Sequence, residues 1–437
     1  MATNFNTVAD RNHMYLRDAN VCFTEAEQSQ DQQKLQACKL AHLPNEIQLQ
    51  IYFNLDGESL INLESTCKRI RYLIEQSDEL WKPLCLPLLE PSLPPGAELS
   101  ANPYYLFKDM FKALREHTWF TPSVWHGDKE LMGSFYVSRY NTENGAIEAH
   151  EFYCVRDLAN LPPRIGWSRN PSILIQDFIP RLERSTLPIL RLSAHACYDE
   201  NNEIQQPPSP RGLITTFFRA AAILPERIYP SMSLWPPFLI PSKDRARNTS
   251  TSGFRNHLKR MQDASPDVFR LRKWITFSNR GLLGISMGEV VETISRLQDD
   301  LWKRNPEFPY RGIWVGDYSS HGGEFILFHQ PTKYRLEAIK LTGDPNIPRG
   351  EYSFTVDDLS HTERICTERE WPGAKVVNAQ GHTAHLNFTN STFSDTQLIL
   401  ISENKVAHYW MNISRISIFR RVDVESLIRG GTGLYVE

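Results

Sequence analysis

The residues that most constrain this chain lie between Leu43 and Cys85, where three short amphipathic helices are predicted in succession. Leu43-Pro44 opens the segment, and proline suits the first turn of a helix because no backbone N–H is needed there. Ile47 and Ile51 then fall one helical turn apart. The apolar side chains outnumber those that so small a unit can bury. We therefore expect a partner to cover part of this surface.

The remaining helices of this segment follow a break at Asp56-Gly57. Their apolar stripes are Leu60, Leu63 and Cys67 in the second helix and Ile70, Leu73 and Ile74 in the third. Leu80 and Trp81 supply the last apolar anchors before Cys85.

The order of these residues resembles the F-box family. Leu43-Pro44-x-Glu46-Ile47 is followed by Cys67-Lys68-Arg69 and then by Leu80-Trp81-Lys82. An ordinary three-helix fragment requires only helical spacing and gives no reason for these three groups to occur in this order. The resemblance implies a domain that docks a Skp-family adaptor and, through it, a cullin-RING ubiquitin ligase. The residues expected to bind the adaptor are Leu43, Pro44, Ile47, Ile51, Leu55, Leu60, Leu63, Cys67, Leu80 and Trp81.

Composition limits the other classes of function. The chain has 437 residues, of which 41% are hydrophobic and 23% are charged, so packed domains rather than disorder are expected. The net charge of −3 provides no positive field for nucleic acid or for an anionic membrane. The 7 cysteines are scattered and never in Cys-x-x-Cys spacing, which indicates a reducing compartment without disulfides or structural zinc. We expect no metal and no cofactor.

Targeting signals are not expected either. No apolar run is long enough to span a bilayer, and the first twenty residues contain no signal-peptide hydrophobic region. The sequence therefore predicts a cytoplasmic or nuclear protein that is not attached to a membrane.

Composition shifts along the chain predict four parts. They are a flexible, Gln-rich amino-terminal segment at 1–40, the F-box at 41–86, a proline-rich linker with a bridging helix at 87–117, and a β-barrel-like domain at 118–437 with loops near 200–211 and 241–256. The bridging helix is expected at Tyr104–His117. Four parts of this kind suit a chain that joins one partner to another.

Beyond Trp119 the pattern changes to short segments with period-two alternation, which is typical of an antiparallel barrel or sandwich. Asn144-Gly145 lies between two such segments and predicts a hairpin. The clearest helix of this part is expected at Gly288–Asn305. The predicted fold class is α+β: an amino-terminal three-helix F-box followed by a mostly antiparallel β-barrel-like domain with inserted loops and one longer helix.

A weak internal repeat favours one closed sheet. Trp125-His126-Gly127-Asp128 precedes a glycine and an apolar strand, and Trp314-Val315-Gly316-Asp317 does so at the same offset. Two unrelated hairpins that each begin with a tryptophan explain the repeat equally well.

A second resemblance covers Gly312–Phe325 and Leu336–Glu351. These stretches look like the substrate-binding domain of cyclin-binding F-box-only proteins and are similar to a segment of chloroplast EXECUTER-type proteins. The chain as a whole resembles filamentous-fungal F-box proteins. The likeness implies a small β-barrel that captures a protein segment, often a chain terminus, for ubiquitination.

The residues of this segment suggest the substrate contacts. Lys340, Thr342 and Asp344 enter a turn that Gly343 and two prolines direct, so Lys340 can meet a carboxylate and the other two can bond an amide or a terminal group. The same residues also have ordinary structural roles, because an Asp before Pro commonly caps backbone amides and a strand Lys commonly faces water. The expected substrate-binding set is Trp314, Tyr318, His321, Lys340, Thr342 and Asp344.

A catalytic interpretation centres on Ser286. Gly284-Ile285-Ser286-Met287-Gly288 matches the nucleophile-elbow pattern G-x-S-x-G, which needs a strand, a sharp turn and a helix. Ser286 with Glu289 is also a capping box for the predicted helix, which explains the serine without catalysis. His382 and His385 lack the glutamate and helical spacing of a zinc protease. We expect the chain not to be an enzyme.

The sequence thus predicts a non-catalytic substrate receptor of an SCF-type ubiquitin ligase with a Skp-family adaptor and a protein substrate as partners. Two alternatives remain. One is an adaptor-bound scaffold or sensor that acts without cullin, and the other is a serine hydrolase.

Overall fold

Short α-helices begin the described part of the chain, as the sequence predicts. They are α1 (Asn45–Tyr52), α2 (Gly57–Glu64), α3 (Lys68–Glu75) and α4 (Lys82–Leu89), with a 3₁₀ turn at Asp78–Leu80. Asp56 caps α2 because its Oδ1 accepts a hydrogen bond from the backbone N–H of Ser59 at 2.7 Å. Leu60 on α2 and Ile74 on α3 are buried, and these two helices contact each other. Residue Pro44 stands immediately before α1, which suits its missing N–H.

This computed structural model describes residues 39–128, 131–156, 162–194, 197–198, 203–205, 214–222, 268–277, 285–318 and 321–435. It divides into two compact units, Met1–Leu84 and Cys85–Glu437. The predicted flexible segment 1–40 lies almost wholly outside the described residues, and the predicted loop 241–256 lies entirely outside them. The predicted loop 200–211 is wrong in part, because Glu203–Gln205 is a strand that pairs with a neighbouring strand.

The bridging helix is shorter than predicted. It is α5 (Phe107–Leu114), which continues as a 3₁₀ turn at Arg115–His117. Phe107, Met110 and Leu114 are buried along one face at helical spacing. Tyr105 lies before the helix and is exposed, because the chain reaches helical geometry only after Leu106.

Strands dominate the second unit. In chain order they are β1 (Val124–Asp128), β2 (Gly133–Asn141), β3 (Ala146–Arg156), β4 (Ile165–Trp167), β5 (Asn170–Ile175), β6 (Pro180–Arg184), β7 (Leu190–Leu192), β8 (Cys197–Tyr198), β9 (Glu203–Gln205), β10 (Ile214–Ala222), β11 (Val268–Phe277), β12 (Ile285–Arg296), β13 (Gly312–Asp317), β14 (Gly323–His329), β15 (Leu336–Lys340), β16 (Tyr352–Val356), β17 (Arg364–Ile365), β18 (Lys375–His385), β19 (Thr389–Ser402), β20 (Lys405–Trp410) and β21 (Arg415–Arg421). Two short helices complete this unit: α6 (Asp299–Trp302) and α7 (Val424–Ile428).

The carboxyl-terminal strands close into an antiparallel barrel of 8 strands, in the order β16-β15-β14-β13-β21-β20-β19-β18. Closure comes from pairing of β16 with β18, where Phe354 lies opposite Gly381 and Thr355 opposite Gln380. The predicted barrel is therefore present, and its strands follow the predicted alternation. β18 ends at His385, and a short 3₁₀ turn at Leu386–Phe388 follows it.

The other large sheet is open and precedes the barrel in sequence. Its order is β6-β3-β2-β1-β12-β11-β10-β9-β8, with β7 also paired to β3. The hairpin predicted at Asn144-Gly145 joins β2 to β3, and Gly145 adopts a φ of +66° that favours glycine. The two tryptophan repeats begin equivalent hairpins, β1–β2 and β13–β14, but these belong to different sheets. The single closed sheet inferred from the repeat is wrong.

Alternation along the barrel strands separates two cores. Trp314, Ile326 and Phe354 belong to the core enclosed by the barrel. Their neighbours along the strands point outward, and one of them, Phe325, stacks on Phe135 of β2 with ring centroids 4.3 Å apart. The outer face of the barrel thus packs against the open sheet.

The long helix predicted at Gly288–Asn305 is wrong. Residues 285–296 form β12, which pairs with β1 and β11, and only Asp299–Trp302 is helical. Val290, Val291, Thr293 and Ile294 are β-branched, and such residues favour strands when a sheet offers neighbours on both sides. Ser286 lies inside this strand opposite Thr276, so neither the nucleophile elbow nor the capping box has the helix that it needs.

Candidate functional site

The first helical unit exposes apolar side chains on α1. Ile47 and Ile51 are 42% and 38% exposed and lie one turn apart on the same face of the helix. Phe53, immediately after α1, is 52% exposed. Apolar side chains grouped in this way are typical of a surface that a partner covers.

The residues expected at the adaptor divide by exposure. Pro44, Ile47 and Ile51 are exposed, while Leu43, Leu55, Leu63 and Cys67 are half-buried. Leu60, Leu80 and Trp81 are buried, and the outward orientation expected for Leu60 and Trp81 is wrong. The reason is that a unit of such short helices needs these large side chains for its own interior.

Sequence reasoning missed Tyr72, which is 66% exposed on α3. It falls between the buried residues Ile70 and Ile74, so the helical period places it on the opposite face. Phe53, which follows α1, is also exposed and was not among the residues expected at the adaptor.

Inside the barrel, Lys340 joins two carboxylates. Its Nζ lies 3.0 Å from Glu324 Oε2 and forms a short ion pair with Asp344 Oδ2. It also lies 4.1 Å from the centroid of the Tyr318 ring. The side chains of Lys340, Glu324 and Asp344 are each at least nine-tenths buried, so the cluster has little contact with water.

The two carboxyl groups differ in protonation. Burial raises the pKa of Glu324 to about 8, although Lys340 opposes this shift. Burial also acts to raise the pKa of Asp344, but the charge of Lys340 and hydrogen bonds outweigh it, and the net pKa is lowered. At neutral pH the Asp344 carboxyl group is therefore ionised, whereas the Glu324 carboxyl group is largely protonated.

Asp344 also fulfils the ordinary structural role of an Asp before Pro. Its Oδ1 accepts hydrogen bonds from the backbone N–H groups of Asn346 at 2.7 Å and Ile347 at 2.9 Å. The Thr342 hydroxyl accepts from the backbone N–H of Phe325 at 3.0 Å. These contacts fix the turn after β15.

Trp314 and His321 do not join this cluster directly. Trp314 is buried in the barrel core, stacks on Phe328 with centroids 4.5 Å apart, and donates its indole N–H to the carbonyl of Tyr310 at 3.0 Å. Trp314, which was expected in the substrate-binding set, is thus not exposed, because its side chain fills the barrel. His321 is exposed beside Gly322.

Two residues of this cluster were missed from the sequence. Glu324 is the second residue of β14, before its apolar run, and Ser353 shares a 2.5 Å hydrogen bond with the hydroxyl of Tyr318. A single acidic residue just before an apolar run is a weak signal for a buried partner of Lys340, because only the pairing of β14 with β15 places them together.

The hairpin connections 341–351, 386–388 and 411–414 lie at one end of the barrel, which we call the mouth. It carries exposed apolar side chains: Leu386, Phe393, Met411 and Ile413. Its backbone is strained, because several residues other than glycine have φ between 51° and 58°: Asn387, Phe388, Asn390 and Ser414. Strained backbone of this kind is often concentrated at functional sites.

Two arginines meet at the edge of the mouth. Arg156 forms a short ion pair with the Asp317 carboxylate, and Arg415 donates to the Asp317 carbonyl oxygen at 3.3 Å. Two guanidinium groups thus contact Asp317 where β13 ends and β21 begins.

Two protein-family models match parts of this chain. Residues 40–87 match the F-box-like family, and residues 294–426 match the family described as the cyclin D1 binding domain. No curated protein matches the chain. Within the described residues, no helix has the length and hydrophobicity needed to cross a membrane, and no group of three or more His, Cys, Asp or Glu could hold a metal ion.

Proposed function

We propose that this protein is the substrate-recognition subunit of an SCF-type E3 ubiquitin ligase. The observation that carries the proposal is the exposed apolar face of α1, which lies within the segment that matches the F-box-like family. A Skp-family adaptor that covers Ile47, Ile51 and Phe53 removes them from water, and such burial drives association. The adaptor in turn binds the cullin-RING ligase and so connects it to this chain.

The second unit is proposed to hold the target protein at the mouth of the barrel. Leu386, Phe393 and Ile413 offer apolar contacts there, and Tyr318, His321 and Thr342 lie on its connections or beside them. Lys340 and Asp344 neutralise each other below this surface and fix the turn that carries Thr342. The catalytic step belongs to the recruited enzymes, and this chain contributes proximity between the target and the conjugating enzyme.

Co-purification tests the adaptor half of this proposal. We propose that the protein acts in the cytoplasm or nucleus, so the test is made in cells. The full chain and a variant without residues 43–85 are each expressed there with tagged adaptor and cullin. Adaptor and cullin recovered only with the full chain support the receptor function. Adaptor without cullin supports the scaffold instead, and absence of both contradicts adaptor docking.

The target half is tested with a variant of the mouth. Ile413→Asp places a charge in the apolar surface and should reduce recovery of target proteins while adaptor recovery stays unchanged. Leu187→Asp is the matched control, because Leu187 is similarly exposed but belongs to the connection between β6 and β7. Equal target recovery with both variants contradicts binding at the mouth.

A further inference from the structure

A notch in the barrel wall interrupts the strand pairing of β18. Because β19 pairs along one edge of β18, β16 and β17 must share the other edge. β16 pairs there at Gln380 and Gly381, and β17 pairs at Lys375 and Val376. Among the described strands none pairs with residues 377–379 on this edge, and a cavity of about 230 Å³ opens beside them.

The notch is small and its lining is polar. Its volume is below the range of about 300–1,000 Å³ that is usual for small-molecule sites, so it suits a single side chain of a ligand. The described residues that line it include no Lys and no Arg. Those used below are Thr355, Asp357, Asp358, Asn378 and Gln380, and His361 lines it as well.

Thr355 faces the notch with an unsatisfied hydroxyl. Its neighbours Phe354 and Val356 belong to the core enclosed by the barrel, so the alternation of side chains along β16 turns Thr355 outward. The residue is only 9% exposed, and its hydroxyl oxygen, which is not fully enclosed, forms no hydrogen bond with the described residues. Buried hydroxyls are normally hydrogen-bonded, so a ligand in the notch would supply the missing partner.

Two amide side chains leave their oxygens free at the notch. Asn378 Nδ2 donates to Glu363 Oε2 at 3.0 Å, and Gln380 Nε2 donates to Asp395 Oδ1 at 2.7 Å. Carboxylates only accept hydrogen bonds, so these contacts fix the nitrogen of each amide and leave its oxygen without a partner among the described residues. The notch therefore offers acceptors and lacks donors.

The charge around the notch is negative. Asp357 and Asp358 line it, and the two carboxylates that hold the amides add further negative charge. Arg335 pairs with Asp357 at 2.6 Å but also with Glu337 at 2.8 Å, so this cation is shared between two carboxylates. A cationic ligand is attracted to such a site, whereas an anion is repelled.

We propose that the notch binds the guanidinium group of an arginine side chain that a partner protein presents. Its planar set of N–H donors can bond Thr355 Oγ1 and the amide oxygens of Asn378 and Gln380, while its charge is attracted to Asp357 and Asp358. An ammonium group is a single compact donor and matches such separate acceptors less well. The site lies in the barrel wall rather than at the mouth, and it stands whether or not the mouth and the adaptor face act as proposed.

The test uses the purified full chain and two capped pentapeptides. One is acetyl-Gly-Gly-Arg-Gly-Gly-amide, and the other carries citrulline, which has a similar shape but no charge, in place of arginine. Saturation-transfer NMR titrations at pH 8, where histidine side chains are ordinarily neutral, give each Kd. The arginine peptide should bind at least about tenfold more tightly, because hydrogen bonds from a charged donor are stronger. Equal affinity of the two peptides, or no saturable binding of the arginine peptide, overturns the proposal.

Two variants of the chain locate the binding. Thr355→Val removes the hydroxyl and keeps the shape of the side chain, and Asp357→Asn removes one negative charge. Each should weaken the Kd of the arginine peptide about three- to tenfold. A Kd that neither variant changes overturns the proposal. If Thr355→Val does not fold, Asp357→Asn decides the question alone, because Asp357 is exposed.

Each variant has a matched control. Thr383→Val removes a hydroxyl from β18 outside the notch. Glu307→Gln removes the charge of an exposed carboxylate that pairs with Lys333, much as Asp357 pairs with an arginine. Both controls should leave the Kd of the arginine peptide within about twofold, which is less than the loss of one hydrogen bond. Controls that weaken binding as much as the notch variants contradict binding in the notch.

Discussion

At the scale of single residues, the buried cluster around Lys340 is the most unusual feature of the barrel. A lysine in a barrel interior is costly unless acidic groups hold it, and here the Asp344 carboxylate and the Glu324 carboxyl group both contact it. The ligand carboxylate that Lys340 was expected to meet is replaced by one from its own chain. We therefore expect the cluster to contribute mainly to the stability of the barrel and to the conformation of the mouth.

Removal of the Lys340 side-chain charge should lower the stability of the protein substantially. Lys340→Met leaves the Asp344 carboxylate buried without its ion pair and should lower the free energy of unfolding by about 3–5 kcal/mol. Lys333→Met, which breaks an exposed pair with Glu307, should cost at most about 1 kcal/mol. Urea unfolding of both variants measures the difference, and equal costs would mean that the cluster is not buried as described.

The pH dependence of stability should reveal Glu324. Its folded pKa of about 8 lies above the usual 4.5, so the unfolded chain loses this proton first and the free energy of unfolding falls as pH rises through that window. Glu324→Gln cannot ionise. Its stability relative to wild type should therefore increase between about pH 5 and pH 8, by up to about 1.4 kcal/mol per pH unit. Unfolding curves at several pH values test this, and a difference that is independent of pH contradicts it.

At the scale of elements, the first unit separates residues that its interior buries from apolar residues that stay exposed. The sequence placed its helices well because apolar spacing, Pro44 and the Asp56 cap are local signals. The sequence did not distinguish the buried Leu60 and Trp81 from the exposed Ile51. All three are apolar, and apolar character alone does not determine which side chains a small unit buries.

A pair of alanine substitutions tests this separation. Leu60→Ala should lower the free energy of unfolding by about 2–5 kcal/mol, since it opens a cavity at a fully buried site. Ile51→Ala should change stability little but should weaken adaptor binding. Thermal unfolding and adaptor pull-down of each variant give the comparison, and the reverse assignment of effects would contradict the burial described here.

The barrel strands were predictable for a similar reason, because period-two alternation and turn residues are local. β12 was not, since Val291, Ile294, Leu297 and Leu301 also match a helical period and only pairing with β1 and β11 decides the matter. The role of Glu324 was not predicted for the same reason. Its partner Lys340 lies on the next strand, so only strand pairing brings them together.

The strand assignment of β12 has its own test. A Cβ on Gly127 would lie 1.9 Å from Glu292 Oε1, because β1 and β12 are paired there, and 2.9 Å from Tyr136. Gly127→Ala should therefore destabilise the protein by about 1–3 kcal/mol. Glu292→Ala in the same chain should recover part of that loss, which a double-mutant cycle measures as coupling. Additive effects would contradict this contact and with it the strand.

At the scale of the whole molecule, the chain carries two units with separate proposed tasks. The first offers an exposed apolar helix face, and the second offers a barrel with a strained, apolar mouth and a polar notch in its wall. A receptor that joins a target to a ligase requires two binding surfaces that can be impaired independently. The proposed docking of the adaptor depends on the exposed apolar face of α1.

The most direct measurement is the affinity of the purified full chain for a purified Skp-family adaptor, with and without Ile47→Asp and Ile51→Asp together. Charges buried at an apolar contact should weaken the Kd by at least about 100-fold, while circular dichroism stays unchanged because both side chains are exposed. Leu174→Asp, an exposed site on β5, should bind as the wild type does. Equal affinity of the double variant and the wild type would contradict adaptor docking through α1.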